Sequence, residues 1–408
     1  MMPVFDFTGI VEFDGLTTNQ NYDYQIGYVF AAGEPGDLLA GSNYNWDIAA
    51  SGSFRTAPVD STDSMSFVFG SCRYLLRLFG GTFFDRRGDK TFRSINRQVD
   101  AGQSTDFLLM IGDQIYADDL AIISPDDKVD EFLSRYRKVF GQEHIRELMG
   151  RLPTYMTLDD HEISNDWSQD RFKQESDLFA AAIHAFQCYQ LVHGPGFQFS
   201  NRAKRSDTPH RLWYRFRHGK SAFFVMDTRT ERFPSYSPPQ MISPEQMTAL
   251  KNWLVAEGQE SNYKFVVTSV PFFPDTHAGS EDKWSGFTDQ RLEILDHIRE
   301  KCVSKVVFLS GDVHCSMAGQ LKCSADPNFL VTSIISSSFF WPYPQGQASG
   351  FKLRGRLAKS SDTDYTLSRF GKVYSEDNFT RLSTGGGELK VATYERKGAH
   401  LGTRTLTL

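Results

Sequence analysis

The chain has 408 residues, of which 40% are hydrophobic and 23% charged, and its formal net charge is −6. This composition is typical of a globular protein. The negative charge argues against general nucleic-acid binding, which needs a basic surface, but leaves an anionic substrate open because metal ions can reverse the local field. No apolar run approaches the ~18–20 residues that span a bilayer, so we expect no transmembrane segment.

The first residues, MMPVFDFTGIVEFDG, have neither the basic stretch nor the apolar core of a signal peptide. We therefore expect none in the chain as given, which fits a cytoplasmic protein or a processed periplasmic or extracellular one. The five cysteines are odd in number and sparse, so they predict no disulfide framework. A disulfide between Cys315 and Cys323 stays open, because these two lie close in sequence.

The amino-terminal part of the chain predicts a small β module. VFDFTGIVEF and YDYQIGYVF alternate in part and are rich in β-branched and aromatic residues, and Gly and Asn clusters separate them. We predict an immunoglobulin-like all-β module over residues 1–60 and a second, larger domain over residues 61–408.

Short apolar runs recur from residue 66 onward, and each stops at polar residues. Runs this apolar predict strands buried on both faces. Helical segments alternate with them, which predicts an α/β core. Within residues 339–381 we see no clear periodicity and predict loops over a site. Trp341, Tyr343 and Tyr374 either form a lid or wall there or make ordinary surface packing. The final segment, 388–408, predicts two strands. The helices are predicted over 124–140, 174–196, 243–258 and 289–301.

Ligand-type side chains stand where four of these strands end. In α/β sheets, ligands gather at the carboxyl ends of the strands, and several carboxylates brought together raise one another's pKa unless cations neutralise them. The sequence therefore predicts a metal site at this edge. The residues after the four strands are Cys72 and Arg73, then Asp113 and Tyr116, then the acids, His161 and Asn165 of DDHEISND at 159–166, and finally Asp312 and His314.

The residue types in this set indicate more than one kind of metal. Carboxylate and amide oxygens favour Ca²⁺, Mg²⁺ or Mn²⁺. Tyr116 is a poor ligand for those ions, because a phenol of pKa ~10 stays protonated, whereas Fe³⁺ holds a phenolate. The thiolate of Cys72 points to the same softer or redox-capable ion. We therefore predict a mixed-metal cluster.

An ordered set of motifs makes the chain similar to a known family. It resembles the PhoD-like alkaline phosphatase/phosphodiesterase family of the metallophosphoesterase superfamily, over nearly its whole length. The motifs are GSC at 70–72, GDQIYAD at 112–118, DDHEISND at 159–166, MDTR at 226–229, KWSGFTDQR at 283–291 and SGDVH at 310–314.

This resemblance implies an α/β fold with a four-layered metallophosphoesterase-type β-sandwich flanked by helices as the catalytic domain. It implies an Fe³⁺ and Ca²⁺ site, with Mn²⁺, Mg²⁺ or Zn²⁺ as substitutes. It leaves open whether Asp159 or Asp160 is the ligand. Ser269 stands where many broader metallophosphoesterases place a ligand histidine, which favours an oxygen-rich site. The implied metal ligands are Cys72, Asp113, Tyr116, Asp160, Asn165, Asp312 and His314.

The activity that the resemblance implies is metal-dependent hydrolysis of a small-molecule or polymeric phosphate ester by a metal-bound hydroxide. His161 is the candidate that protonates the leaving oxygen, or else it only positions Asp160. Arg73 is a candidate for binding phosphate oxygens, or else it makes a structural ion pair. The alternatives are a phospholipase D-like phosphodiesterase and a non-catalytic, metal-stabilised binding protein. We expect no specific nucleic-acid partner.

Overall fold

The computed structural model describes all residues except 1–4, 12, 29–46, 60–63, 76, 79–82, 85, 120–124, 196–210, 362 and 369. The six α-helices of the described part are α1 (Asp89–Asp100), α2 (Val129–Phe140), α3 (Glu143–Met149), α4 (Ser176–Tyr189), α5 (Pro244–Glu260) and α6 (Thr288–Glu300). None of them is long and apolar enough to cross a bilayer.

Eighteen strands are described, and most belong to two large sheets. They are β1 (Asn21–Tyr28), β2 (Asp47–Arg55), β3 (Met65–Gly70), β4 (Arg77–Leu78), β5 (Phe83–Phe84), β6 (Phe107–Ile111), β7 (Thr154–Thr157), β8 (Tyr214–His218), β9 (Ser221–Val225), β10 (Tyr263–Val267), β11 (Val306–Ser310), β12 (Met317–Cys323), β13 (Val331–Ile335), β14 (Gly355–Ser360), β15 (Thr363–Ser368), β16 (Asn378–Gly385), β17 (Glu388–Glu395) and β18 (His400–Thr407).

One large sheet has the order β14-β15-β12-β13-β11-β10-β9-β8, and the other has the order β18-β17-β16-β3-β6-β7. Strands β9, β10, β11 and β13 run parallel in the first sheet, and β3, β6 and β7 run parallel in the second. The apolar runs that predicted buried strands form this parallel centre, as expected of strands covered on both faces.

The two sheets pack face to face over an aromatic core. Phe67 of β3 lies edge-on to Phe223 and Phe265 of the other sheet, with both ring centroids 5.7 Å away. Helices α5 and α6 cover the outer face of the eight-stranded sheet, and α1 and α3 cover that of the six-stranded sheet. The result is a mixed α/β fold with several sheets, in which helices enclose two packed layers of strands.

The prediction of loops throughout residues 339–381 is wrong. This segment contains strands β14 and β15, which pair antiparallel at one edge of the large sheet. The disulfide that the sequence left open between Cys315 and Cys323 does not form, because both cysteines are free. Strand β12 lies between them, and at about 3.3 Å per residue it holds them far beyond the ~4.4–6.8 Å between Cα atoms that a disulfide needs.

The helix boundaries follow the sequence signals in part. Ser243 caps α5 by accepting a hydrogen bond from the Gln246 backbone N–H at 3.1 Å, but the helix continues past Gly258. Helix α2 begins at Val129, and the side chain of Glu131 accepts from the Lys128 N–H at 3.2 Å. Ser124, the first residue of the helix predicted over 124–140, lies outside the described residues.

At the amino terminus, β1 and β2 form a separate antiparallel sheet of two strands. The Tyr24 hydroxyl donates to the Gly150 carbonyl at 2.8 Å, which ties this sheet to the loop after α3. Residues 29–46 of the predicted immunoglobulin-like module lie outside the described part of the chain, so that architecture stays a prediction.

Candidate metal centre

The parallel strands of both sheets bring their carboxyl ends to one place. The Asp312 N–H donates to the Ser71 hydroxyl at 3.2 Å, and the Phe339 N–H donates to the Ser71 carbonyl at 2.8 Å, so the ends of β3, β11 and β13 meet. The chain turns sharply there. Cys72, Asp113, Asp312 and His314 have φ angles between 49° and 70°, which are costly for residues other than glycine. Such strain concentrates at functional sites.

Gly112 allows the loops after β6 and β7 to cross closely. Its φ is 74°, and a Cβ there would stand 2.3 Å from the Cβ of Asp159. Only glycine fits this contact, so the loop that carries Asp113 can lie directly against the loop that carries Asp160.

The thiol, the phenol and one carboxylate converge on a single point. Asp113 Oδ2 lies 3.3 Å from the Cys72 Sγ and 3.2 Å from the Tyr116 hydroxyl. That hydroxyl is also 3.4 Å from His314 Nε2. The Ser337 hydroxyl, which the sequence did not single out, donates to the Cys72 sulfur at 3.1 Å. The structure therefore brings together four of the predicted ligands.

Asp160 and His161 approach this group from the β7 loop. One ligand atom from each of Asp113, Asp160 and His161 lies within 4.8 Å of the others. His161 Nδ1 is 2.9 Å from a carboxylate oxygen of Asp118, which leaves Nε2 for the site. Asp118 also accepts the Asn165 N–H at 2.8 Å. Asp118 lies within the GDQIYAD motif, but its role became visible only from this contact.

The neighbouring carboxylates Asp159 and Asp160 have different surroundings. Asp159 Oδ1 accepts hydrogen bonds from Arg229 Nε and, at 2.8 Å, from the Ser269 hydroxyl. Each keeps one buried oxygen, Asp159 Oδ2 and Asp160 Oδ1, without a hydrogen-bond partner among the described residues, and Arg229 Nη2 lies 3.5 Å from Asp160 Oδ1. Asp160, but not Asp159, lines the cavity described below and groups with Asp113 and His161. Asp160 is therefore the better placed of the two for a cation, and Arg229 acts as a structural partner of both acids.

Asp312 faces a buried lysine. Lys283 Nζ lies 2.7 Å from Asp312 Oδ2 and 3.0 Å from Asp282 Oδ2. Asp282, Asp160 and Asp166 form a second group of carboxylates with ligand atoms within 4.8 Å. Lys283 is the first residue of the KWSGFTDQR motif, but the sequence predicted no role for it. Asp282 directly precedes that motif and was not among the predicted site residues.

These side chains surround a cavity of about 450 Å³. Asn165 lines it and is exposed, while its amide donates to Asp166 at 2.7 Å. Trp341 and Tyr343 line it as well. Tyr374 of the predicted lid lines a different pocket instead. The residues around the cavity are Asp160, His161, Asn165, Asp166, Asp282, Lys283, Asp312, His314, Trp341 and Tyr343.

Glu162 of DDHEISND accepts hydrogen bonds from both acidic loops, and we call its carboxylate the clamp. Its Oε2 accepts the N–H groups of Asp113 at 3.0 Å and Asp159 at 2.9 Å. Its Oε1 accepts the Gln114 N–H at 2.6 Å and the Gln190 side-chain amide at 3.0 Å. Four buried donors are satisfied by one carboxylate, which holds the two acidic loops in register.

Arg73 is not brought into the cavity. Its guanidinium donates to the Gln142 side chain at 2.6 Å, lies 3.6 Å from Asp89 and covers the ring of Phe92 at 4.8 Å. These contacts lie beside a separate groove of about 890 Å³ that Asp89 and Gln142 line. The arrangement corresponds to the structural ion pair that the sequence left open for Arg73.

The electrostatics of the cluster follow from burial and crowding. Burial and the charge of Asp159 raise the pKa of Asp113 well above its usual value. Burial would raise the pKa of Asp160 as well, but Arg229 and His161 hold it below its usual value. Burial opposes the charged form of His161, yet Asp160 and Asp113 raise its pKa well above 6.5.

The remaining donors are neutral in the metal-free protein. Burial and the charge of Asp113 raise the pKa values of both Cys72 and Tyr116 well above their usual values. Burial, with the charges of His161 and Lys283, lowers the pKa of His314 to about 3. A neutral imidazole is the form that binds metal.

This donor set fits a metal cluster. Like Asp160 Oδ1, Asp113 Oδ1 is buried and has no hydrogen-bond partner among the described residues. Unpaired buried carboxylate oxygens are costly unless a cation neutralises them. The thiol, phenol and imidazole close to them are groups that bind transition metals.

Comparisons with known proteins find phosphatases. The sequence model of the PhoD-like phosphatase family matches residues 76–381. Alkaline phosphatase D of Bacillus subtilis (strain 168) is 23% identical over 351 residues, covering 76% of this chain and 54% of the relative. The chain thus spans about half the length of that curated relative.

Two solved structures share the fold. The structure of PhoD aligns over 96% of this chain and 78% of its own, with 16% identity and a TM-score of 0.66. Purple acid phosphatase PPD1 from yellow lupin (Lupinus luteus) seeds aligns over 96% of this chain and 60% of its own, with 13% identity and a TM-score of 0.60.

Proposed function

The chain belongs to the PhoD-like phosphatase family, and from that premise we propose that it is a metal-dependent phosphoric ester hydrolase. One observation carries the proposal. Buried carboxylate, thiol, phenol and imidazole donors from four strand ends converge beside an open cavity. Structural metal sites are usually closed, whereas catalytic ones keep an accessible position.

We propose that the metal ions are Fe³⁺ and Ca²⁺. Cys72, Asp113 and Tyr116 would hold the iron, since thiolate and phenolate suit it. Asp160, Asn165, Asp312 and His314 would complete the cluster. When bound, such ions neutralise phosphoryl oxygens and supply a deprotonated water near neutral pH.

The residues of the chain supply the remaining steps. His161 would donate a proton to the leaving oxygen from Nε2, because the Asp118 carboxylate holds Nδ1 and favours the charged ring. Lys283 places a positive charge on the same cavity. The crossing at Gly112 and the clamp of Glu162 keep the acidic loops in place.

We propose that the chain consists of an amino-terminal module, residues 1–60, followed by a catalytic domain, residues 61–408. We propose that its substrates are both phosphomonoesters and phosphodiesters. A phospholipase D-like preference for diesters is the variant of this function that substrate comparison would reveal. The non-catalytic alternative is disfavoured by the open cavity and by the thiol and phenol, which a structural Ca²⁺ site does not need.

The test is hydrolysis of p-nitrophenyl phosphate and bis(p-nitrophenyl) phosphate by the purified protein, before and after chelation and with Ca²⁺ restored. Asp113→Asn should lower turnover more than about 100-fold. This exceeds the loss of activity that is typical when a residue that only hydrogen-bonds a metal ligand is replaced. Asp127→Asn, at a carboxylate that is 72% exposed, is the matched control. Near wild-type turnover by Asp113→Asn would refute the site.

A separate measurement tests the metals. Iron bound by Tyr116 or Cys72 should give the protein a visible absorption band and stoichiometric iron by elemental analysis. The band should shift in Tyr116→Phe. A colourless protein that contains only zinc would overturn the iron assignment and leave the hydrolase proposal to the assay above.

A further inference from the structure

The cavity of the candidate metal centre has an aromatic wall, formed by Trp341 and Tyr343. The polar residues of the cavity lie around Asp312 and His314, and the wall stands next to them. A cavity of about 450 Å³ falls within the ~300–1,000 Å³ typical of small-molecule sites. The cavity therefore has room for more than a phosphoryl group.

Trp341 is held in place from several directions. Its ring stacks on His314, with centroids 3.8 Å apart and planes 19° apart. Tyr74 meets it edge-on at 5.6 Å. Its backbone N–H donates to Asp377 at 2.8 Å, and its carbonyl accepts from Gln345 at 3.1 Å. Trp341 is thus fixed before a ligand binds, so contact with it costs little ordering.

Tyr343 presents its ring to solvent. It is 40% exposed, although large apolar side chains are usually covered. It meets Trp341 at 65° and Tyr74 at 57°, so neither ring is stacked parallel on it. Within the described part of the chain, no aromatic ring stacks on Tyr343. Its exposed ring surface is available to a planar group that enters the cavity.

On the strength of the proposed function, we propose that the aromatic wall binds the leaving group of the substrate. The substrate class is then phosphoesters that carry a planar aromatic group, such as nucleoside phosphates. The phosphoryl group would lie by Asp312, His314 and Lys283, and the ring would stack on Tyr343. Stacking is tolerant of ring identity, because every base has a π-face.

A matched pair of substrates isolates the contribution of the ring. Adenosine 5′-monophosphate and ribose 5-phosphate share the same leaving oxygen and differ in the base. For the metal-loaded wild-type protein, kcat/KM should be about tenfold higher for the nucleotide, which corresponds to about 1.4 kcal/mol. Tyr343→Ala should bring this ratio close to one, and Tyr343→Phe should restore it. Tyr236→Ala, at a tyrosine that is 50% exposed outside the cavity, should leave it unchanged.

The outcomes separate this inference from the proposed function. Hydrolysis of both compounds with a ratio near one in the wild-type protein, or a high ratio that survives in Tyr343→Ala, overturns the aromatic wall as a subsite. Hydrolysis of other phosphate esters with neither compound accepted does the same. If no phosphate ester is cleaved, the proposed function fails, and calorimetric binding of the two compounds decides the subsite by the same ratio.

Discussion

Replacing Glu162 by Gln should destabilise the protein and loosen the acidic loops. The Glu162 carboxylate is fully buried and accepts four N–H groups, two at each oxygen. Gln keeps one of these oxygens and turns the other into an amino group that faces two donors. The Gln190 side chain can turn over and accept from it, since its own Oε1 has no partner among the described residues. One backbone N–H is then left without an acceptor.

The magnitude follows from these contacts. An unsatisfied buried N–H costs about 1–3 kcal/mol, and each bond that loses its charged acceptor weakens by about 1 kcal/mol. Removing a buried charge offsets part of this cost. We expect a net loss of about 2–5 kcal/mol in the free energy of unfolding.

Urea unfolding and amide hydrogen exchange of the wild-type and Glu162→Gln proteins provide the assay. Exchange should rise at Asp113, Gln114 and Asp159, whose N–H groups the carboxylate accepts. Glu293→Gln is the matched control, because Glu293 is 46% exposed in its ion pair with Lys251 and should change stability by less than about 1 kcal/mol. Equal stability and equal exchange in Glu162→Gln and wild type would show that the clamp is not needed.

Two further predictions concern histidines. Asp118→Asn should lower turnover about 10–100-fold, because the negative charge that holds His161 Nδ1 is lost. Its far-ultraviolet circular dichroism should be unchanged. Wild-type turnover at every pH would contradict this prediction. In the metal-free protein, the pKa of His314 is about 3 in the folded state and ~6.5 in the unfolded state. Between these two pH values the unfolded chain therefore binds one more proton than the folded protein, and acid favours unfolding. His314→Gln should reduce the loss of stability below pH 6.5 by up to about 1.4 kcal/mol per pH unit, and denaturant curves with the same pH slope as wild type would disprove it.

The amino-acid sequence by itself determined the central strands and the sheet edge at which the candidate ligands gather. Short continuous apolar runs such as FLLMI and VVFLS favour strands covered on both faces, and the polar residues after them are then expected at one edge of a sheet. This is why Cys72, Asp113 and His314 could be grouped before any coordinates. The edge strands β14 and β15 were not predicted because they bury few apolar residues. β14 buries one residue of six, and β15 buries alternate residues of which only Tyr365 and Leu367 are apolar.

Only the tertiary structure decided what each side chain at that edge contacts. Asp159 and Asp160 are identical in chemistry and adjacent in sequence, yet Asp160 lines the cavity, whereas Asp159 accepts hydrogen bonds from Arg229 and Ser269. Arg73 follows a candidate ligand but extends to Gln142. These partners come from distant segments, and which of them a side chain meets depends on how two sheets pack, which local sequence does not encode.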